Sequence, residues 1–549
     1  MPHFFGQIIN DLKGNILEGT KEEIFYFAIS SGGFYMLLSL ASGFFLFLTR
    51  QTIIVMSRFI EFDLKNEIYN QYQKLDYSFY KKNSTGDLMN RISEDVSKVR
   101  MYLGPGIMYT INLSILSILA LYQMISTNGY LTFFVLIPLP LMSYIIYKVS
   151  STVNKLSTIV QEEQSSMSSL VQESFSGIRV IKAYNRNQQV ESLFQDSAES
   201  YKDKNMRLVF VNSLFMPTIF ILIGLSTLLC IYLGGLVYHE GNINFGEIMS
   251  FVFYVNMLTW PFASVGWVTS IIQRAAASQE RINEFLKIKP SVKNESQEDF
   301  SFNGHIEFRN VSYTYPNSGI KAIDDVSFVF NSSERIGVIG RTGSGKSTLI
   351  KLIMRQIDPQ EGEILLDGVN IKEINIDQYR DQIGIVPQDV FLFSDTINNN
   401  ILFGSLDGTI NDRDIVEVTK EAHVHHNIVS FKNSYNTLLG ERGVNLSGGQ
   451  KQRLSIARAL IRKPKLLILD DCLSSVDTET EEVILSNLNK KSISSFIVSH
   501  RISTIRNATK ILTLSNGSIT EEGTHEELLF KNGEYASLCR KQLAEEAED

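Results

Sequence analysis

The chain has 549 residues and a formal net charge of −8. That is long enough for two or more domains and acidic enough to argue against nucleic acid as the main partner. Its cysteines, Cys230, Cys472 and Cys539, show no paired spacing, so neither a disulfide framework nor a zinc site is suggested, and a reduced, cytosol-facing soluble part fits.

The near-neutral mean hydropathy averages two unlike halves. Up to about Ile272 the sequence carries long apolar runs; beyond about His305 strand-like and helix-like patterns alternate. Residues 1–23 hold Lys13 and Lys21 against Asp11, Glu18, Glu22 and Glu23. They lack the basic start, apolar run and small-residue cleavage site of a secretory signal. An apolar stretch then runs from about Ile24 to Met56, broken only by small residues and Arg50. Four more follow at Ile107–Ile125, Leu131–Tyr147, Leu208–Ile231 and Ile248–Ile272. Stretches near 20 apolar residues are long enough to cross a bilayer core as helices. Buried helices of a large soluble core are the alternative, but several such runs in succession are rare in soluble chains.

The connecting segments give the orientation. Between the first two spans lie Arg58, Lys65, Lys74, Lys81, Lys82, Arg91, Lys98 and Arg100. Between the third and fourth lie Lys155, Arg179, Lys182, Arg186, Lys202, Lys204 and Arg207, whereas the links at Thr127–Gly129 and His239–Asn242 carry no Lys or Arg. Positive charge marks the cytoplasmic side, and the long loops have the polar, helix-favouring composition of helices that continue past the membrane. With a cytosolic C-terminal half, five crossings put Met1 outside.

In the second half, Glu334–Gly340 reads as an apolar strand and leads into Gly340, Arg341, Thr342, Gly343, Ser344, Gly345, Lys346 and Ser347, then Thr348. This matches G-x-x-x-x-G-K-[ST] between a strand and a helix. Its glycines let backbone amides curl around phosphates, Lys346 would meet the β- and γ-phosphate oxygens, and Ser347 would offer its hydroxyl to Mg²⁺. The helix that follows aims its N-terminal dipole at the same charge. Lys465–Asp471 is an apolar strand ending in two carboxylates: Asp470 is placed to hold Mg²⁺, and Asp471 to orient the attacking water. Leu446, Ser447, Gly448, Gly449 and Gln450 open a helix that Pro464 terminates, a second helix N-terminus able to hold an anion. Taken alone, that serine-glycine turn reads as a helix cap.

In combination these residues resemble the ABC transporters, and within them the exporters whose membrane and ATPase halves share one polypeptide. LSGGQ at Leu446–Gln450 is similar to the family signature. The resemblance implies further roles. Tyr315 in VSYTYP looks like the adenine-stacking aromatic, worth roughly 1–3 kcal/mol; Tyr313 shares the alternation, and only motif position selects Tyr315. Gln388 in IGIVPQD resembles the glutamine that links Mg²⁺ and the attacking water to the membrane half. His500 in FIVSHR resembles the histidine that contacts the γ-phosphate. Thr437–Gly443 resembles the exporter loop beside the signature, and Ser474–Asp477 the dimer-contact loop. Segments from Ser84 and from Glu173 look like exporter cytoplasmic loops, with coupling helices expected near Tyr77–Asn83 and Tyr184–Ser192. The expected architecture is an all-α transmembrane bundle of exporter type (1–285), a linker (286–303) and an α/β phosphate-loop ATPase domain (304–549).

The sequence departs from that family's pattern twice. Exporters of this type have six spans per half, and this sequence shows five; Phe5–Leu12 resembles the outer end of the first helix, so that helix is expected to be largely missing, through a late start codon or a truncated sequence. The second departure is Asp471 where most active members carry Glu. The resemblance then implies one half of a heterodimer whose own site hydrolyses ATP poorly, with a slow homodimer as the alternative. The implied activity is ATP-driven export across the cytoplasmic membrane by alternating access, with ATP and Mg²⁺ as cofactors. The substrate is expected to be hydrophobic or amphipathic: multidrug export is the first label, lipid or peptide export the next. An ATP-gated regulator or channel on the same fold is the rival class.

Overall fold

The computed structural model describes residues 2–18, 21–294, 296, 298–316, 318–405, 410–440, 443–491 and 493–548, with side chains left aside at 3, 12–18, 21–24 and 544–548. The chain divides into two compact units, 1–74 with 83–288 and 75–82 with 289–549.

The first unit is helical. It opens with α1 (Pro2–Glu18) and α2 (Lys21–Lys74). The 54 residues of α2 extend about 80 Å at 1.5 Å per residue, against an apolar bilayer core of about 30 Å. A short helix, α3 (Tyr77–Lys82), follows and groups with the second unit. Next come α4 (Thr85–Asn90), a π-helical turn (Arg91–Asp95), α5 (Val96–Met101), a second π turn (Tyr102–Gly106) and α6 (Ile107–Thr127). Asn128 caps α7 (Gly129–Leu136), accepting from the Leu131 amide, and Pro138 begins α8 (Pro138–Ser176). The set closes with α9 (Ile178–Ala183), α10 (Asn187–Ser213), α11 (Phe215–His239) and α12 (Phe245–Leu286). Among the described residues, five helical segments are long and apolar enough to span a membrane: 25–74, 85–127, 129–176, 187–239 and 245–286. They contain the five apolar stretches of the sequence and continue well beyond them.

Buried Met124, Leu131, Val135, Leu139 and Met142 pack with Leu222, Cys230, Phe251, Val255 and Leu258, so α12 is a central stave. Large apolar side chains such as Leu40, Phe44, Phe220 and Leu228 remain exposed, a surface that lipid or a second chain can cover. Helix α1 lies against the start of α12. A Cβ on Gly246 would come within 2.0 Å of the Gly6 carbonyl oxygen, while the Gly246 amide donates to Asn10 Oδ1 at 2.8 Å and Ser250 Oγ donates to the Pro2 carbonyl at 2.9 Å. Elsewhere in this unit, buried Asp95 in the first π turn accepts from Ser278 Oγ at 2.9 Å and Arg281 Nε at 3.0 Å, both on α12.

The second unit carries two sheets. β1 (Ile306–Thr314) and β2 (Lys321–Phe330) pair antiparallel and precede β3 (Arg335–Gly340) and α13 (Lys346–Ile353). β4 (Glu361–Leu366), β5 (Val369–Asn370), α14 (Ile376–Asp381) and β6 (Ile383–Val386) follow. A helical region holds α15 (Ile397–Leu402), α16 (Asp412–Glu421), α17 (His425–Ser430) and α18 (Gly448–Leu460). The chain then alternates through β7 (Leu466–Asp470), α19 (Thr478–Lys490), β8 (Ser494–Val498), α20 (Ile502–Ile505), β9 (Lys510–Ser515) and β10 (Ser518–Gly523), and ends with α21 (His525–Lys531) and α22 (Glu534–Glu548). One sheet has the order β2-β1-β4-β5, the other β10-β9-β3-β8-β7-β6. In the second, β9, β3, β8, β7 and β6 are parallel neighbours and only β10 is antiparallel. The apolar run Leu466–Leu469 of β7 and all of β8, whose first two residues are serines, are buried, as parallel strands covered on both faces require. Residues before β1 are held to this unit: Phe302 is buried, the Phe300 amide donates to Gln378 Oε1 at 2.6 Å, and Arg355 Nη2 donates to the Lys293 carbonyl at 3.0 Å.

Candidate nucleotide-binding site

Four neighbouring parallel strands end on one edge of the six-stranded sheet. There β3 delivers Gly340, β7 delivers Asp470 and Asp471, β8 leads to His500, and β6 leads to Gln388. Register places Val386 beside Leu469 and Asp470 beside Val498. The carboxyl ends of parallel strands are where open α/β sheets bind ligands.

The turn from β3 to α13 needs glycine at two places. A Cβ on Gly340 would sit 2.2 Å from the Leu514 carbonyl oxygen; Gly345 has φ +108° and leaves a Cβ only 2.4 Å from the Ala322 oxygen. Arg341, Thr342 and Gly343 are exposed at the tip, and Thr348 is buried behind it. Lys346 is buried, its ammonium donating to the carbonyls of Gly340 (2.7 Å) and Arg341 (2.9 Å). Burial pushes its pKa down, against the pull of Asp471 and Asp470. Ser344 Oγ is buried and has no hydrogen-bond partner among the described residues. An orphaned hydroxyl and a buried ammonium in one amide-rich loop fit a phosphate chain.

Asp470 accepts from the Ser347 hydroxyl; burial and then the Asp471 charge raise its pKa, with Ser347, Lys346 and Lys351 opposing. A hydroxyl and crowded carboxylates form an oxygen-donor set suited to Mg²⁺. Asp471 adopts φ +47° and accepts from the His500 amide at 3.4 Å. The His500 imidazole is pushed below its usual pKa by burial first and by Lys346 second, while Asp471 works the other way. Gln388 is exposed just past β6. Tyr315, half-buried after β1, has its hydroxyl 3.2 Å from Thr348 Oγ1 and meets Tyr313 edge-on at 5.1 Å.

The signature segment lies at the start of α18. Ser447 Oγ accepts from the Gln450 amide at 3.3 Å and Gln450 Oε1 from the Ser447 amide at 3.0 Å, a capping box. The Ser447 hydroxyl thus accepts in the cap and keeps its proton to donate. Leu446 is buried in the core, so its side chain positions the turn. Gly448 and Gly449 face Ser475, where a Cβ on Gly449 would be 2.9 Å from the Ser475 carbonyl oxygen. Gln452 accepts from the Ser475 amide at 3.1 Å. The signature segment and the loop Ser474–Asp477 are therefore joined. Among the described residues no hydrogen bond connects Ser447–Gln450 with the phosphate loop. Of the exporter-type loop at Thr437–Gly443, Glu441 and Arg442 lie outside the described residues.

Residues 1–262 match the family model described as ABC transporter transmembrane region, and residues 323–474 the one described as ABC transporter. Across the whole chain, 36% of residues are identical to the Probable multidrug resistance ABC transporter ATP-binding/permease protein YheI of Bacillus subtilis (strain 168), covering 93% of that protein. The chain belongs to the ABC transporter family. This ABC transporter is also 35% identical to the Multidrug resistance-like ATP-binding protein MdlA of Escherichia coli (strain K12), over 89% of the chain and 83% of the relative. It is 33% identical to the ATP-dependent lipid A-core flippase of Syntrophus aciditrophicus (strain SB), over 88% and 80%. A bacterial Atm1-family ABC exporter, solved with ATP bound, superimposes with a TM-score of 0.81 at 22% identity, covering 98% of this chain and 95% of that one; it shows the same fold. The chain is thus a multi-pass membrane protein that binds ATP and couples its hydrolysis to export.

Residues that motif reasoning missed act from behind the site. Arg458 on α18 donates to the carbonyls of Asn400 (2.7 Å) and Phe391 (2.8 Å), tying the signature helix to the chain after Gln388, and burial lowers its pKa to about 10. Arg501 donates to the Ser474 carbonyl at 2.9 Å. Lys351 donates to the Tyr315 hydroxyl at 3.2 Å.

Proposed function

We propose that this chain is one half of a dimeric exporter that moves a hydrophobic or amphipathic drug or lipid across the cytoplasmic membrane. Its ATPase unit faces the cytosol. The observation that carries the dimer is the separation of the two anion sites: Ser447–Gln450 makes no hydrogen bond to its own phosphate loop, so it is free to complete a second chain's. The working division is transmembrane domain 1–285, linker 286–303 and ATPase domain 304–549.

In this reading Lys346, Ser344 and the loop amides bind the phosphates, Tyr315 stacks on adenine, and Ser347, Asp470 and Gln388 hold Mg²⁺. The metal, when bound, neutralises charge on the phosphate oxygens. Asp471 orients the attacking water and His500 meets the γ-phosphate. Asp is one methylene shorter than Glu, so its carboxylate retreats by about 1 Å, a misplacement that can cost on the order of 10²-fold in rate. This site would bind ATP and turn it over slowly. A partner carrying Glu would use this chain's Ser447, which favours a heterodimer over a homodimer. ATP favours the closed state of the pair by differential affinity, and hydrolysis resets it.

The test is uphill accumulation of a fluorescent amphipathic drug in inside-out vesicles holding the chain with its partner. ATP-dependent accumulation against a gradient supports export. ATP-dependent equilibration without accumulation would identify a gated channel instead.

A further inference from the structure

Residues 75–82 lie in sequence between two spans, yet they belong to the ATPase unit. Leu75 and Phe79 are buried there, and Asp76 accepts from the Ser291 amide at 2.5 Å. From this anchored helix, α3, the Lys81 ammonium reaches 5.3 Å from the centroid of Tyr315. Lys351, on the helix that follows the phosphate loop, lies 5.6 Å from the same ring and 5.4 Å from Tyr77 of α3. Among the described residues no carboxylate forms an ion pair with Lys81. The ring is where its charge is spent.

We propose that Lys81 is a positioning residue for the adenine of ATP, acting through Tyr315. The inference rests on Tyr315 being the adenine-stacking aromatic. An ammonium within about 6 Å of a ring centroid is attracted by the ring quadrupole. It also draws electron density from the ring, which improves stacking against an electron-rich purine, and it holds the ring in place from the side of α3. Binding free energies are reciprocal, so a bound adenine strengthens the hold of α3 on the ATPase unit as much as α3 strengthens the hold on adenine. A segment of the membrane half thereby reports whether the base pocket is filled.

The experiment is calorimetric titration of the full chain in lipid nanodiscs with Mg-ATP and, separately, with Mg-tripolyphosphate, which has no base. Lys81→Met should weaken ATP binding about two- to fivefold, the range of an exposed cation–ring contact, and leave tripolyphosphate affinity unchanged; Lys81→Arg should keep wild-type affinity. In a Tyr315→Ala background, Lys81→Met should add nothing, because coupled residues are not additive. Wild-type ATP affinity in Lys81→Met, an equal loss for both ligands, or an additive loss with Tyr315→Ala overturns the proposal. If Tyr315→Ala alone leaves ATP affinity unchanged, the adenine assignment itself fails.

Discussion

His500 is held neutral at physiological pH by burial and by the Lys346 ammonium. Its pKa in the folded chain lies below the ordinary 6.5, so its contribution to stability is present above that value and is lost as pH falls through the folded pKa. If His500 meets the γ-phosphate as proposed, ATP binding reverses the balance, because an adjacent negative charge favours the imidazolium. ATP binding near pH 6 should therefore take up a fraction of a proton more in the wild type than in His500→Gln. Calorimetry in buffers of different ionisation enthalpy reads that difference directly; identical proton uptake by the two would place His500 away from the phosphate. Arg458 is a second residue with a measurable role. Arg458→Met leaves the carbonyl of buried Asn400 without its donor, at about 1–3 kcal/mol for a buried group left unpaired, and returns the exposed Phe391 carbonyl to water. The melting temperature of the ATPase unit should fall by several degrees, and an unchanged value would mean that water replaces the guanidinium.

At the scale of elements, α3 and α1 are the pieces whose docking the structure explains. Asp76 sits just before α3 and accepts from the amides of Ser78 (3.1 Å) and Phe79 (3.3 Å) as well as from Ser291. Burial opposes ionisation there, but the Ser291, Ser78 and Phe79 hydrogen bonds outweigh it and keep the carboxyl below its ordinary 3.8. The depressed pKa means that the docking energy is complete above 3.8 and is lost as pH falls through the folded value. Asp76→Ala should remove it at neutral pH, through the lost helix cap (about 1 kcal/mol) and the lost Ser291 bonds. Faster amide hydrogen exchange across 77–82 is the readout, and wild-type protection there would contradict the assignment. For α1, the closest approach to α12, at Gly6 and Gly246, is backbone against backbone. Gly246→Ala should separate the two helices, seen as faster exchange across 2–11, because the new methyl has nowhere to go beside the Gly6 carbonyl.

These two elements also mark where the sequence stops being readable. The spans were legible because a bilayer demands an apolar run of fixed length, and the phosphate loop because Gly340, Gly345 and Lys346 are each required by backbone geometry or charge. The strand ending at Asp470 was legible for the same reason. The site around Tyr315 was only half legible. Its motif position is a local pattern, but the cations on its ring come from Lys351 and from Lys81, more than two hundred residues away in sequence, and no local pattern records a contact of that range. The stretch read as a linker is another case. Its residues are polar and irregular, yet Phe300 and Phe302 bond to Gln378 and Gln382, side chains whose partners are fixed by the fold. The π turns at Arg91–Asp95 and Tyr102–Gly106 have no signature in composition; what holds the first is an ion pair from Asp95 to Arg281 on a distant helix.

At the scale of the whole molecule, a family member with a complete phosphate loop and signature carries a shortened carboxylate at Asp471. The two features point in different directions for one chain alone and in a single direction for the proposed pair, in which this half would supply Ser447 to a partner's site and hold ATP in its own. The most direct test is steady-state ATP hydrolysis by the purified chain, as it stands and with Asp471→Glu. The account predicts a wild type that binds ATP and is nearly inactive, with turnover raised on the order of 10²-fold by the substitution. Brisk wild-type turnover that Asp471→Glu leaves unchanged would contradict it, and would make the chain a self-sufficient homodimeric exporter.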